Sequence, residues 1–235
     1  MFRGYFKKSW QITRTNPVAY IGATILFVIF SFLTLFLLFP TLITGIEGMY
    51  LRAREGKKVR ASDIFMYRRK FFSLLGASLL IALDVAFTLL LFTVPLVLFF
   101  YIAFVVMSPP IPLGSPVIIV SCALWSIGYV LFTLRREGRY LHALNFIAER
   151  GSQITEGLKK SRIAVKNRWK AAGIAALYLG TWPMPFSLIS GEGPLELRIG
   201  LTILGLFLVP LVLGTTAIAF AHETGFEVEH EGDQR

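Results

Sequence analysis

Asp84 is the residue whose type and position most readily suggest chemistry. It lies inside Phe71–Met107, an apolar run with no other Asp, Glu, Lys or Arg. A carboxylate inside a bilayer is costly, and it is kept where it binds an ion, carries a proton or makes a polar contact. No second acid or intramembrane base accompanies it in the sequence. That favours a protonated or hydrogen-bonded Asp84 facing Ser, Thr or Tyr of a neighbouring helix over an ion or proton site. Glu47 is the only acid of a second run, Val18–Leu51. It precedes Arg52 and Arg54 by a few residues, so it is expected to snorkel to the interface.

Basic residues offer a different chemistry, that of anion recognition. Lys7, Lys8 and Arg14 lie near the start, Arg68 and Arg69 in the first third, and Lys159, Lys160, Arg162 and Lys166 further on. Near an anionic leaflet each such base is worth about 1 kcal/mol. They can coat the membrane surface or form a headgroup pocket, and their spacing does not separate the two. Arg135, Arg136 and Arg139 are expected to stop a span at the inner interface. Nucleic acid is a poor explanation of the net charge of +10, because membrane orientation already accounts for it.

Other chemistries have no foothold. The three histidines lack the i, i+4 pairing of a helical zinc site, and the single Cys122 allows neither an intrachain disulfide nor a cysteine metal cluster. No Gly-x-Ser-x-Gly, phosphate-cradling loop or nucleophile–base arrangement is visible. The expectation is a protein without catalytic residues, metal or cofactor.

The elements that must position these residues follow from composition. Of 235 residues, 55% are hydrophobic and 16% charged, too apolar for an ordinary soluble domain. Runs of about 18 or more apolar residues read as membrane spans. They occur at Val18–Leu51, Phe71–Met107, Val117–Leu134, Ala171–Ser190 and Ile199–Ala221. The first is 34 residues, too long for one straight crossing of about 30 Å at 1.5 Å per residue. Basic segments flank it on both sides, and positive loops stay cytoplasmic. It therefore reads as a tight hairpin turning within Ser31–Pro40.

The segments 1–17, 52–70 and 135–170 hold 22 of the 24 bases. Placing them inside gives six crossings with both termini cytoplasmic, in the cell membrane. The fold class is an all-α polytopic bundle: an integral membrane domain over 1–221, then an acidic tail over 222–235. The Pro-rich stretch 108–116 reads as an outer loop, and Trp182 as an outer-boundary anchor. Two basic amphipathic helices lie at the inner surface. The first presents Phe2, Phe6, Trp10 and Thr13 on one face and ends at Asn16-Pro17; the second carries Ile154, Leu158, Val165 and Trp169. Gly173, Gly180, Gly200 and Gly205 offer places for close helix packing.

The chain also repeats itself. Lys7-Lys8-Ser9 aligns with Lys159-Lys160-Ser161, carrying Arg14 onto Lys166, and each copy runs into an apolar segment. Pro40…Gly45 is echoed by Pro210…Gly214. A parallel duplication with units starting near 4 and 156 explains this, as does the recurrence of basic–apolar junctions in any polytopic protein.

Ser9-Trp10…Asn16-Pro17, Ser62-Asp63-Ile64-Phe65, Phe146…Gly151…Gly157-Leu158-Lys159-Lys160-Ser161 and the closing Leu208…Phe220 carry a resemblance. The chain resembles uncharacterised prokaryotic six-span membrane proteins allied to the membrane domain found with glycerophosphoryl diester phosphodiesterases. The resemblance implies a six-helix membrane domain and a link to lipid metabolism. It implies no catalytic residues, and the soluble phosphodiesterase domain is not in this sequence.

The sequence thus points to a non-enzymatic membrane domain. Its expected partners are anionic membrane lipids and a membrane-protein partner or second copy, with no nucleic acid. The alternative is a transporter or permease subunit using Asp84 as an intramembrane polar site, since many transporters are internal repeats.

Overall fold

The computed structural model describes residues 2–102, 116–165, 168–181, 183–190 and 194–226. Regular structure among them is helical throughout. Residues 108–115, Lys166, Trp182 and the tail beyond 226 lie outside the described residues.

Helix α1 (Phe2–Thr15) meets α2 (Pro17–Leu33) at a 99° bend. The corner is the Asn16-Pro17 pair. The Asn16 side chain caps α2 by accepting from the Ala19 amide, and its Nδ2 donates to the Val59 carbonyl at 3.0 Å. Pro17 occupies the first turn, where its missing N–H costs nothing. α2 ends at Leu33, and a turn through Leu35 and Phe36, both at positive φ, leads into α3 (Phe39–Arg54). The chain turns where expected, inside Ser31–Pro40.

Two short 3-10 turns, Ala61–Phe65 and Arg68–Lys70, precede α4 (Phe71–Tyr101). Asp63 accepts the Arg60 amide at 2.8 Å, so it caps the turn that contains it and not a helix beginning at Ile64. Next come α5 (Pro116–Glu137), α6 (Ala143–Arg150), α7 (Ile154–Ala164), α8 (Arg168–Thr181), the single-turn α9 (Ser187–Ser190) and α10 (Leu195–Thr224). Gly151 ends α6 in the left-handed region at φ 62°.

The core is built around α3, which is buried on every face from Pro40 to Leu51. It is enclosed by α2, α6, α10 and the Ala61–Phe65 turn. Between apolar helices in lipid, association rests on close packing through small residues more than on expulsion of water. Gly45 and Gly214 do this work. A Cβ at Gly45 would overlap the Ile64 carbonyl, and one at Gly214 would overlap Ser9 Oγ and the Tyr50 ring. Gly205 admits Pro185 in the same way, whereas Gly173, Gly180 and Gly200 have no packing neighbour within 4 Å among the described residues.

Among the described residues three stretches are long and apolar enough to cross a membrane: within Ala61–Tyr101, within Ile118–Arg150, and Leu195–Thr224. Counting the bent α1–α2 pair as one span makes four. α2, α3 and α8, at 17, 16 and 14 residues, reach about 25, 24 and 21 Å and fall short of the hydrocarbon thickness alone. The three long stretches differ in surroundings. In the most apolar windows of the two stretches holding α4 and α5 hardly any residue is buried, while that of α10 is mostly buried.

α1 departs from the expected orientation. Its inward side is Tyr5, Ser9 and Thr13, while Trp10 is 49% exposed. Ser9 Oγ donates to the Leu211 carbonyl at 2.8 Å, and Thr13 Oγ1 lies 2.5 Å from the Tyr50 hydroxyl. The expected interfacial face of Phe2, Phe6, Trp10 and Thr13 is thus split: Trp10 stays exposed, while Thr13 turns inward with Tyr5 and Ser9.

Candidate functional site

The basic residues singled out by sequence fall into two groups. Lys7, Lys8, Arg14, Arg68, Arg69 and Lys159 are exposed, as a surface collar requires. Lys160 pairs with Glu156 at 2.7 Å, and that ammonium holds the Glu156 carboxyl below its usual range. Arg162 belongs to neither the collar nor a simple surface pair. It faces the end of α5.

There α4 and α5 meet in a charged recess of about 390 Å³ lined by Asp84, Phe132, Arg135, Arg136, Arg139, Tyr140 and Arg162. Arg136 grips Asp84 with two donors: Nε reaches Oδ2 at 2.7 Å and Nη2 reaches Oδ1. This fork-on-carboxylate geometry is the strongest form of the pair. It corrects the expectation that Asp84 is unaccompanied by a base and faces only neutral hydroxyls. Tyr140 lines the same space, its hydroxyl accepting from Arg162 Nη2. The Arg162 guanidinium lies 5.0 Å over the Tyr140 ring, and that of Arg135 lies 5.9 Å over Trp169.

The level of this recess follows from helix lengths. Asp84 sits 13 residues beyond Phe71, the start of α4, yet it meets Arg136 near the end of the antiparallel α5. The first turns of α4 therefore run past α5 and pack on α6 and α7, with Leu74 and Ala77 against Tyr67, Ile147 and Ala148. From Asp84 to Tyr101 the helix covers 18 residues, about 27 Å. From Pro116 to Arg136, α5 covers 21, about 31 Å. Asp84 is thus at one end of a membrane-length hairpin and not in its middle.

Behind the arginines a buried network fixes their backbone. Ser161, fully buried, donates to the Arg139 carbonyl at 2.8 Å and accepts the His142 amide at 3.1 Å. His142, also fully buried, has Nε2 at 3.1 Å from Glu223 of α10. Gly138 lets the chain pass close to Ala171 and Ala172 of α8. Ser161 thus matches Ser9 of the other Lys-Lys-Ser copy. Both are buried, and both donate to a main-chain carbonyl at 2.8 Å.

Glu47 is the second correction. It is 4% exposed and lies against Asn145 of α6, so it does not reach the surface. Lys70 turns inward too, donating to the carbonyls of Ile147 and Ala148, while Tyr67 donates to Glu149.

Sequence reasoning did not gather Arg135, Arg139, Arg162 and Tyr140 into one site. A partial signal was available, since Arg135 and Arg139 stand four residues apart. The approach of Arg162 depends on how α7 packs back on the Gly138–Tyr140 turn, which no local pattern encodes. Comparison with protein-family models, curated proteins and solved structures finds no match.

Proposed function

We propose that this is a non-enzymatic membrane domain that holds an anionic lipid by its headgroup in the recess between α4, α5 and α7. The observation that carries the reading is the recess lining. Four arginines face one carboxylate at the end of an apolar hairpin. Asp84 balances one of them and three positive charges remain. Above the recess the hairpin exposes Leu83, Phe87, Leu90, Leu131 and Phe132, a surface suited to acyl chains. The exposed collar of Lys7, Lys8, Arg14, Arg68, Arg69 and Lys159 draws the same leaflet close without selecting a headgroup.

In this reading α2, α3 and α8 join α4, α5 and α10 as six crossings, the short helices completed by their flanking segments. Both termini face the cytoplasm, and the chain is a parallel duplication in which Ser9 and Ser161 play equivalent parts. The protein then belongs to the cell membrane. A coupling-ion role for Asp84 in transport loses its motive, because Arg136 already neutralises that carboxylate.

Purification in a mild detergent followed by identification of retained lipids tests the function. The expected result is enrichment of anionic over zwitterionic lipid relative to the host membrane. Equal proportions would refute the reading. Topology is tested separately in a Cys122→Ala background, where Leu35→Cys is expected to react with an impermeant thiol reagent only from outside. Labelling from the cytoplasm alone would refute six crossings.

A further inference from the structure

The charge of the recess, considered atom by atom, selects among anionic ligands. We infer that it is a phosphomonoester site, built for a terminal phosphate and not for the phosphodiester of an ordinary anionic headgroup. This inference rests on the anion-binding reading of the same recess.

Arg136 is engaged by Asp84 through two bonds. Arg135, Arg139 and Arg162 line the same space, and none of them has a carboxylate partner within 4 Å among the described residues. The Nε of Arg139 is buried without an acceptor among the described residues, a donor that a native structure rarely leaves unmet. Arg162 is held at the rim by Tyr140, so its fork is oriented before anything binds. A phosphodiester brings one negative charge and two unesterified oxygens. A monoester brings about 1.5 to 2 charges at neutral pH and three acceptor oxygens. Three guanidinium groups converging on one volume match the second in both charge and donor number.

The apolar surroundings bear on where the phosphate comes from. Phe132, one turn from Arg136 on α5, adds an aromatic ring to the lining and is 44% exposed. A monoester at the end of a diacyl lipid would lay its chains along the exposed hairpin, while a soluble monoester would leave that surface unused.

The test uses the full chain in micelles carrying phosphatidic acid and phosphatidylglycerol in equal amounts, read by native mass spectrometry. Near about pH 8, where the monoester is close to dianionic, phosphatidic acid should be retained about tenfold over phosphatidylglycerol, the worth of one extra charge-assisted bond. The preference should shrink near about pH 5, where the second ionisation is suppressed. Arg139→Gln/Arg162→Gln should bring the ratio to parity and Lys7→Gln/Lys8→Gln should leave it unchanged. If the recess variant does not purify as a single species, Arg135→Gln replaces it, and the wild-type ratio decides in any case. Equal retention of the two lipids overturns the monoester assignment and leaves anionic-lipid binding standing. Retention of neither overturns both. Inorganic phosphate is the second arm. Loss of phosphatidic acid to millimolar phosphate upholds the monoester with a soluble source, and resistance upholds it with a lipid source.

Discussion

Replacing Asp84 by Asn separates the structural from the electrostatic part of the site, because the two effects have opposite signs. The wild-type carboxylate accepts two bonds from Arg136, and both side chains are 22% exposed, so solvent screens the pair only partly. An amide of the same shape keeps one acceptor but turns a donor toward the second guanidinium nitrogen. A hydrogen bond to a charged group is worth about 1.5–3 kcal/mol, so the loss of one should cost about 2 kcal/mol. For a chain of this length that is a fall of about 4–8 °C in the thermal midpoint. Arg136→Gln should cost a similar amount, since it strands the carboxylate. The double variant Asp84→Asn/Arg136→Gln should cost less than the sum by about 1.5 kcal/mol. Meanwhile Asp84→Asn removes the one carboxylate that lines the recess. Anionic lipid should therefore raise the midpoint of this variant more than that of the wild type. The assay is thermal unfolding in detergent by intrinsic fluorescence, with and without added lipid. Strictly additive single and double variants, or a weaker lipid response in Asp84→Asn, would refute the reasoning.

Three further predictions concern the packing that carries the site. Gly214→Ala should destabilise by about 1–3 kcal/mol through overlap with Ser9 and Tyr50, read as a lower thermal midpoint. Gly173→Ala, in open space on α8, should be neutral or stabilise by about 0.5–1 kcal/mol. Ser161→Ala should cost about 1–3 kcal/mol in the same measurement, because it leaves the buried His142 amide without its acceptor. It should also weaken lipid retention by loosening Arg139.

What could be read from the chain was local. Asn16-Pro17 marked a corner because proline removes a donor and asparagine supplies a cap. The turn within Ser31–Pro40 followed from run length and the basic flanks. The site was not local. Asp84 and Arg136 are 52 residues apart, and their meeting depends on the stagger of α4 against α5. Seen alone, Asp84 looked unaccompanied because its partner came from a segment that read as a topological stop. In α1 the inward turn of Ser9 and Thr13 was not legible, because their partners, the Leu211 carbonyl and the Tyr50 hydroxyl, come from distant helices. In the repeat Lys7, Lys8 and Lys159 are exposed, whereas the serine that follows each Lys-Lys pair is buried and bonded to a distant carbonyl.

The central claim is that the recess, and not the collar, holds the anionic headgroup. The most direct measurement is the affinity of the full chain for an anionic lipid titrated into neutral micelles, comparing wild type with Arg139→Gln/Arg162→Gln and Lys7→Gln/Lys8→Gln. Loss of two charge-assisted contacts should weaken binding by at least about tenfold in the recess variant. The two exposed lysines should change it by no more than about fivefold. Equal losses in the two variants would contradict the account and leave only a general basic coat.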